Sequence, residues 1–540
     1  PLGMIHSHFL HSRMHRLLLL LLLNVLSLTF SNAATPAPHT VSSFNRSSFP
    51  PGFLFGSGSS AYQTEGSPLK YGRGPCSWDV YTKKYPERIV DHSNGEVATD
   101  FYHRYKEDIQ LAKRIGLDTY RMSLSWSRII PSGMIKGGVN SVAVKFYNDV
   151  INEMVANGIK PFVTLYHDDT PQALDIAYGG PLSSDIVNDF RDFADFCFGE
   201  FGDRVKYWTT INEPDIFSRL GYASTALAPG RCSSYDGNCS AGNSATEPYI
   251  VAHNLLLSHA AAGNLYKHKY QAKQNGKIGM NFAASWFYPL NDTAADRGAV
   301  LRALDFGFLR ILHPLIFGEY PASMRQILGS RLPTFTKEQS EMLIRSQDFI
   351  TINYYSSSFV FDVPSPINNV NLSIATDGRY GTTGFRNGLA IGGQTAVGFF
   401  FDHPRGLYNV LAYIKKHYGN PIVYITENGT ISLNPKTTPL FSANPLGWRH
   451  PGMATEGSLT IKEAINDTRR ITFMNGQLKF ILKAIRRGSK VKGYSSWSFT
   501  DNWEWSSGFT VRFGLIHIDT ASLMRYVKAS ALWYKKFLLR

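Results

Sequence analysis

Two glutamates in this chain stand where carboxylates do chemistry. Thr209-Thr210-Ile211-Asn212-Glu213-Pro214 and Ile425-Thr426-Glu427-Asn428-Gly429 each place one at the end of a short apolar run. A carboxyl carried there by a strand is desolvated, and without a partner its pKa rises. Two such groups facing one another suit work on a glycosidic acetal. One acts as acid and then base, the other as nucleophile or base. Asn-Glu-Pro alone says little, so the argument turns on whether the chain aims both groups at one centre.

Eight β-rich runs, at 52–57, 119–126, 160–167, 205–213, 277–282, 349–355, 422–427 and 491–498, alternate with amphipathic segments such as 101–115, 142–157 and 184–201. This alternation predicts parallel βα units, and eight closes a barrel. The fold class expected is α/β, a single (β/α)8 TIM barrel over 49–540 with long loops at its C-terminal face, at about 218–248, 360–400 and 430–465. Four runs end in polar clusters: Leu165-Tyr166-His167, Thr210-Ile211-Asn212-Glu213, Ile352-Asn353-Tyr354-Tyr355 and Ile425-Thr426-Glu427-Asn428. Strand ends of such a barrel converge on one mouth, which brings the two glutamates together.

The composition of the 540 residues agrees: 43% are hydrophobic and only 18% charged, which disfavours disorder and coiled coil. The net charge of +14 is scattered. Its densest stretch, Lys483, Arg486, Arg487, Lys490 and Lys492, reads as a solvated helix end running into a strand at Val491, so no nucleic-acid partner is expected. Gly56-Ser57-Gly58-Ser59-Ser60-Ala61 has the spacing of a dinucleotide fingerprint, but Gly66 and Pro68 break the helix that must follow it. That leaves no expected nicotinamide cofactor, and no Walker loop, zinc signature or nucleophile elbow is present either.

Pro1-Leu2-Gly3 reads as a cloning remnant, and 4–33 as a signal peptide with a basic start, an apolar run from Leu17 to Phe30 and small residues before Ala33. A flexible segment is expected at 34–48, and no membrane association in the mature protein. The expected location is the secretory pathway, ending in the vacuole or the extracellular space. Cys232 and Cys239 flank a turn-rich loop and read as one disulfide, whereas Cys197 reads as a buried thiol and Cys76 is ambiguous. Glycosylation is expected at Asn45, Asn238, Asn291, Asn371 and Asn466, but not at Asn428 beside the second glutamate.

From about Phe49 to Arg540 the chain resembles the plant β-glucosidases of glycoside hydrolase family 1. The resemblance is carried by both glutamate motifs, Gly58-Ser59-Ser60-Ala61-Tyr62-Gln63-Thr64-Glu65-Gly66, Tyr120-Arg121-Met122-Ser123, Asn353-Tyr354-Tyr355, Trp497-Ser498-Phe499-Thr500-Asp501-Asn502-Trp503-Glu504-Trp505 and Arg512-Phe513-Gly514-Leu515. It implies a retaining reaction on a small-molecule glucoside that needs no metal or organic cofactor, with Glu213 as acid/base and Glu427 as nucleophile. It implies sugar contacts from Gln63, His167, Asn212, Tyr355, Trp497, Glu504, Trp505 and Phe513, with Trp503 left to the core. Relatives that cleave sulfur-linked glucosides carry Gln at the acid/base position, so Glu213 argues against that activity. The family's His-Trp-Asp is here His167-Asp168-Asp169, a carboxylate in place of an indole. Relatives lacking that Trp include transglucosidases. Three readings therefore stand: a β-glucosidase, a vacuolar acyl-glucose-dependent transglucosidase with a phenolic acceptor, and an inactive sugar-binding protein.

Overall fold

The computed structural model describes residues 44–364, 370–395, 398–431 and 459–539. The expected cloning remnant, signal peptide and residues 34–43 lie outside these, as does most of the expected loop at 430–465. The chain divides into two units, Pro1–Ser48 and Phe49–Arg540. In the first, the described residues form a 3-10 turn at Arg46–Ser48, where the Ser47 N–H donates to Asn45 Oδ1 at 2.9 Å.

The second unit holds eight parallel strands: β1 Leu54–Gly58, β2 Thr119–Ser123, β3 Lys160–Tyr166, β4 Tyr207–Ile211, β5 Lys277–Pro289, β6 Phe349–Asp362, β7 Val423–Glu427 and β8 Val491–Trp497. Each pairs with the next in sequence, and β8 pairs with β1, so the ring closes. Closure leaves no strand edge and buries the strands on both faces, which is why they read as nearly continuous apolar runs. Leu54, Phe162, Phe349 and Tyr424, near the starts of β1, β3, β6 and β7, pack together, with Phe162 stacked on Tyr207 at 5.5 Å. This apolar layer fills the floor of the barrel, so the polar strand ends are reached from the C-terminal face.

The helix Phe101–Ile115 falls where expected; it buries Ile109, Ala112 and Ile115 and stops at Gly116, whose φ of 91° lets its N–H close back on Ala112 and Lys113. The other two named segments become Ser141–Ala156 and Ile186–Phe201. Both β5 and β6 run further than expected. They pair beyond a bulge at Ala284/Trp286, from Trp286↔Ser357 to Pro289↔Val360, and β6 then pairs antiparallel with Tyr380–Thr383. Ser285, Ser356, Ser357 and Ser358 interrupt the apolar pattern there and made both strands look finished. Helix Pro214–Tyr222 takes the front of the expected 218–248 loop. The glycine-rich run after β1 does continue into a helix, but only for the turn Ala61–Thr64.

Cys232 and Cys239 form the disulfide, while Cys76 and Cys197 are buried free thiols. Asn428 is buried and its amide donates to the Tyr354 carbonyl at 2.6 Å, which closes that sequon to modification. Asn238, Asn291, Asn371 and Asn466 are exposed, though the Asn291 amide also donates to Asp296 at 3.0 Å.

Beyond β8 the chain is knotted around Asp501. Its carboxylate accepts from Lys528 Nζ at 2.7 Å, the Gly514 N–H at 2.9 Å and the His517 ring at 3.0 Å, with Arg512 at 3.5 Å. Burial alone would raise the pKa of this carboxyl, but the surrounding cations and hydrogen bonds overwhelm it and hold the group ionised. A carboxylate depressed by folding stabilises the fold above its unfolded pKa, about 3.9, and that contribution is lost as pH falls. Asp501→Asn should lower the melting temperature near neutrality, with the gap to wild type narrowing below about pH 4; thermal unfolding across pH checks this. Native alkylation should label neither Cys76 nor Cys197, and denaturation should expose these two thiols together with one Cys232–Cys239 bridge in peptide mapping.

Candidate active site

Glu213 lies two residues beyond β4, at the cap of helix Pro214–Tyr222, with φ 36°. Pro214, which needs no N–H partner in the first turn, starts that helix cleanly. The Glu213 N–H donates to Asn281 Oδ1 on β5 at 3.2 Å, and its half-buried carboxyl accepts from Asn353 Nδ2 on β6 at 2.7 Å. Glu427 ends β7 and is buried. One of its oxygens accepts from Arg121 on β2, the other from the Tyr355 hydroxyl at 2.5 Å. Arg121 also donates to Asn212 Oδ1 at 2.7 Å, and Asn353 donates to that same oxygen at 3.2 Å. Asn281 and Thr426 in turn donate to Asn353 Oδ1 at 2.8 and 2.9 Å. One amide-centred network thus joins β2, β4, β5, β6 and β7 around both glutamates.

The two carboxyls face opposite electrostatics. Burial pushes the Glu213 pKa well up, and Glu427, Asp215 and Asp168 push it further, against the single Asn353 hydrogen bond. Glu427 has the guanidinium. Burial, then the Glu427 and Glu213 charges, raise the Tyr355 phenol, which therefore stays a donor. Burial and Arg121 push His167 well down, so the ring is uncharged. Its Nε2 lies 3.2 Å from Asn212 Nδ2 and accepts there, which leaves the hydrogen on Nδ1, a buried atom with no hydrogen-bond partner among the described residues.

The other residues expected to hold sugar divide into two groups. His167 stands parallel to Trp497 at 6.1 Å and Trp505 at 5.9 Å, and Trp505 lies on Trp78 at 4.9 Å. Glu504 is raised by burial and by Glu427, and its Oε1 is buried without a hydrogen bond among the described residues, leaving it open to a hydroxyl. Gln63 is fully buried and already committed: its amide donates to the Trp503 carbonyl at 2.8 Å and to Asn502 and Glu504 at 3.2 Å. Phe513 packs with Ile431, Trp497 and Val511 and meets Tyr355 edge-on at 5.8 Å, supporting both from behind. Trp503 is fully buried, as expected.

Arg121, Asn281, Asn353, Thr426 and Asp215 were given no role by sequence reasoning. Arg121 had left a signal, a lone cation inside a strand of otherwise uncharged residues. Asn281 had too, as an amide inside the apolar run of β5. Asp168 is buried with φ 61°, and its Oδ1 has no hydrogen-bond partner among the described residues.

The sequence profile of glycosyl hydrolase family 1 matches residues 45–443 and 448–540. Beta-glucosidase 12 of Oryza sativa subsp. indica is 48% identical over 526 residues, 97% of this chain and 98% of its own. Furcatin hydrolase of Viburnum furcatum is 49% identical over 490 residues, 91% and 86% of the two chains. A rice β-glucosidase solved in a covalent complex with Glc is 42% identical, with a TM-score of 0.85 over 92% of this chain and 100% of its own. A Humicola insolens β-glucosidase solved with glucose gives 0.83 at 35% identity, over 91% and 98%. The chain belongs to glycosyl hydrolase family 1 and is a glycosidase of the β-glucosidase type.

Because the Asn353 amide favours the ionised form of Glu213, Asn353→Ala should raise the apparent pKa of that group. The alkaline limb of a kcat/KM profile should move up, by about one unit or less, while overall activity falls. pH–rate measurements on an aryl β-glucoside check it.

Proposed function

We propose that the enzyme is a retaining β-glucosidase that hydrolyses O-linked β-glucosides of hydrophobic, plant-type aglycones, with Glu427 as nucleophile and Glu213 as acid/base. The observation that carries this reading is the unequal surroundings of the two carboxyls: a guanidinium and a phenol hydroxyl on Glu427, and negative neighbours with one neutral amide on Glu213. Anionic Glu427 attacks the anomeric carbon, and the bond from that carbon to the glycosidic oxygen breaks. The departing oxygen takes its proton from Glu213. Once the sugar has neutralised Glu427, Glu213 loses its most important negative neighbour and accepts a proton from the incoming water. The covalent complex recorded for the rice relative supports an intermediate of this kind.

Transfer of the same glucosyl group to a phenolic acceptor is the second reading. Tyr355 stacked on Phe400 at 5.5 Å, and half-buried Trp286 on β5, supply aromatic faces on which a phenol can lie. The secretory pathway, with delivery to the vacuole or the extracellular space, is the location we assign. The Cys232–Cys239 bridge and the exposed sequons support it.

With an activated aryl glucoside, Glu213→Ala should release the phenol in a burst and then stall, since no base activates water. Glu427→Ala should show no burst. Azide should rescue both, giving the β-azide with Glu213→Ala and the α-azide with Glu427→Ala. The same azide anomer from both variants would reverse the assignment. Product analysis with and without a phenolic acceptor should give mainly free glucose if water is the acceptor, and a new glucoside if it is not.

A further inference from the structure

The parallel register of β3 and β4 carries on past the strands. Tyr166 pairs with Ile211, the Asn212 N–H donates to the Tyr166 carbonyl at 3.0 Å, and the His167 and Asn212 side chains meet at 3.2 Å. One step further the matching positions are Asp168 and Glu213. Both turn out of their strands with positive φ, 61° and 36°. Asp215 is anchored to β5 by the Ala283 N–H, which donates to its carboxylate at 3.2 Å. Glu213 thus has one aspartate at the matching position of the neighbouring strand and another two residues further along its own chain, in addition to Glu427 at the end of β7.

Cations temper the two aspartates, Arg121 acting on Asp168 and Arg310 with Arg219 on Asp215, whereas the charges that bear most on Glu213 are all negative. Arg121 is spent on Glu427 and Asn212. Arg310 donates to the Asp215 backbone carbonyl, and its influence, like that of Arg219, falls on Asp215. His167 is uncharged, Tyr355 is a neutral phenol on Glu427, and Asn353 and Asn281 contribute amides only. Glu504 adds another carboxyl, raised by the same Glu427 charge. Asp169, next in sequence to Asp168, is buried, is offset by the Arg73 charge and is the strongest charge acting on Asp168.

We propose that Asp168 and Asp215 are positioning residues that act through Glu213, holding its proton in place so that the acid step stays available to higher pH than the two glutamates alone would allow. The inference rests on the acid/base reading of Glu213. It treats Asp168 as a gain rather than as the mere loss of an indole. Burial, then Asp169, Glu427 and Asp215, raises Asp168, partly offset by Arg121, and burial with Glu427, Asp215 and Asp168 raises Glu213. Like charges that share a site divide their protons, so removing one member lets the others ionise earlier.

The test is the pH dependence of kcat/KM on an aryl β-glucoside with a poor leaving group, measured for the wild type, Asp168→Asn, Asp215→Asn and Glu213→Gln. Asn tolerates positive φ and is nearly isosteric with Asp, so the first two variants preserve shape, and thermal melts report their folding. Asp168→Asn should shift the alkaline limb down by about one pH unit, and Asp215→Asn should shift it in the same direction. A limb unmoved or raised in both overturns the inference. Glu213→Gln separates the two claims. If the limb survives in Glu213→Gln, the acid/base reading falls and this inference falls with it. If the limb vanishes there but stays fixed in both aspartate variants, only the flanking role is overturned.

Discussion

The structure is organised around the Arg121–Glu427 ion pair. A buried guanidinium has five N–H donors to satisfy and a large desolvation cost, so it can stand inside a barrel only where carboxylate and amide oxygens already converge. Arg121 meets Glu427 and Asn212 at once, and this fixes the upper ends of β2, β4 and β7 relative to each other. Asn353 extends the constraint to Glu213 and β6, and Asn281 extends it to β5. Neither glutamate can move without leaving a buried donor unsatisfied. Mutual positioning of the reacting groups is therefore a property of one hydrogen-bonded network rather than of separate strands.

The same network explains what sequence reasoning could and could not see. The eight strands and the two glutamates were legible because closure of the barrel buries both faces, and burial writes itself as apolar runs that end abruptly in polar residues. Trp497, Trp505 and His167 were legible through family resemblance and do meet in one stack. Asn281, Asn353 and Thr426 carry no such mark, since an amide or hydroxyl within a strand is as readily a satisfied core group. The hydrogen bonds of Gln63 were not legible, because its partners arrive from residues 502–504, far along the chain. The ends of β5 and β6 were missed because small serines carry no hydrophobic period while their backbones still pair.

Stability and function meet in the segment that follows β8. Glu504, Trp505 and Phe513 all come from it, just beyond Trp497 at the end of β8, yet the described part is mostly irregular. What makes it rigid is the buried Asp501 with Lys528, His517, Gly514 and Arg512 gathered on it, together with the Gln63 amide holding the Trp503 carbonyl. Irregular backbone here gains the precision of a strand from a charged centre. That is a costly device in isolation, and it works because the carboxylate accepts three hydrogen bonds and has a further cation beside it.

The paired extension of β5 and β6 has a consequence for how this barrel can diversify. Most of a barrel's mouth is drawn from connecting loops, which tolerate insertion and change shape easily. Here one side of the rim is a hydrogen-bonded ribbon reaching Pro289 and Val360, with Trp286 and Tyr288 carried on it at fixed two-residue spacing. An insertion of one residue would turn every side chain beyond it to the opposite face. That side of the entrance can change only by exchanging one side chain for another, in place, while the opposite side remains free to grow. Variation among such enzymes should accordingly be lopsided, with point substitutions along the ribbon and length changes across from it.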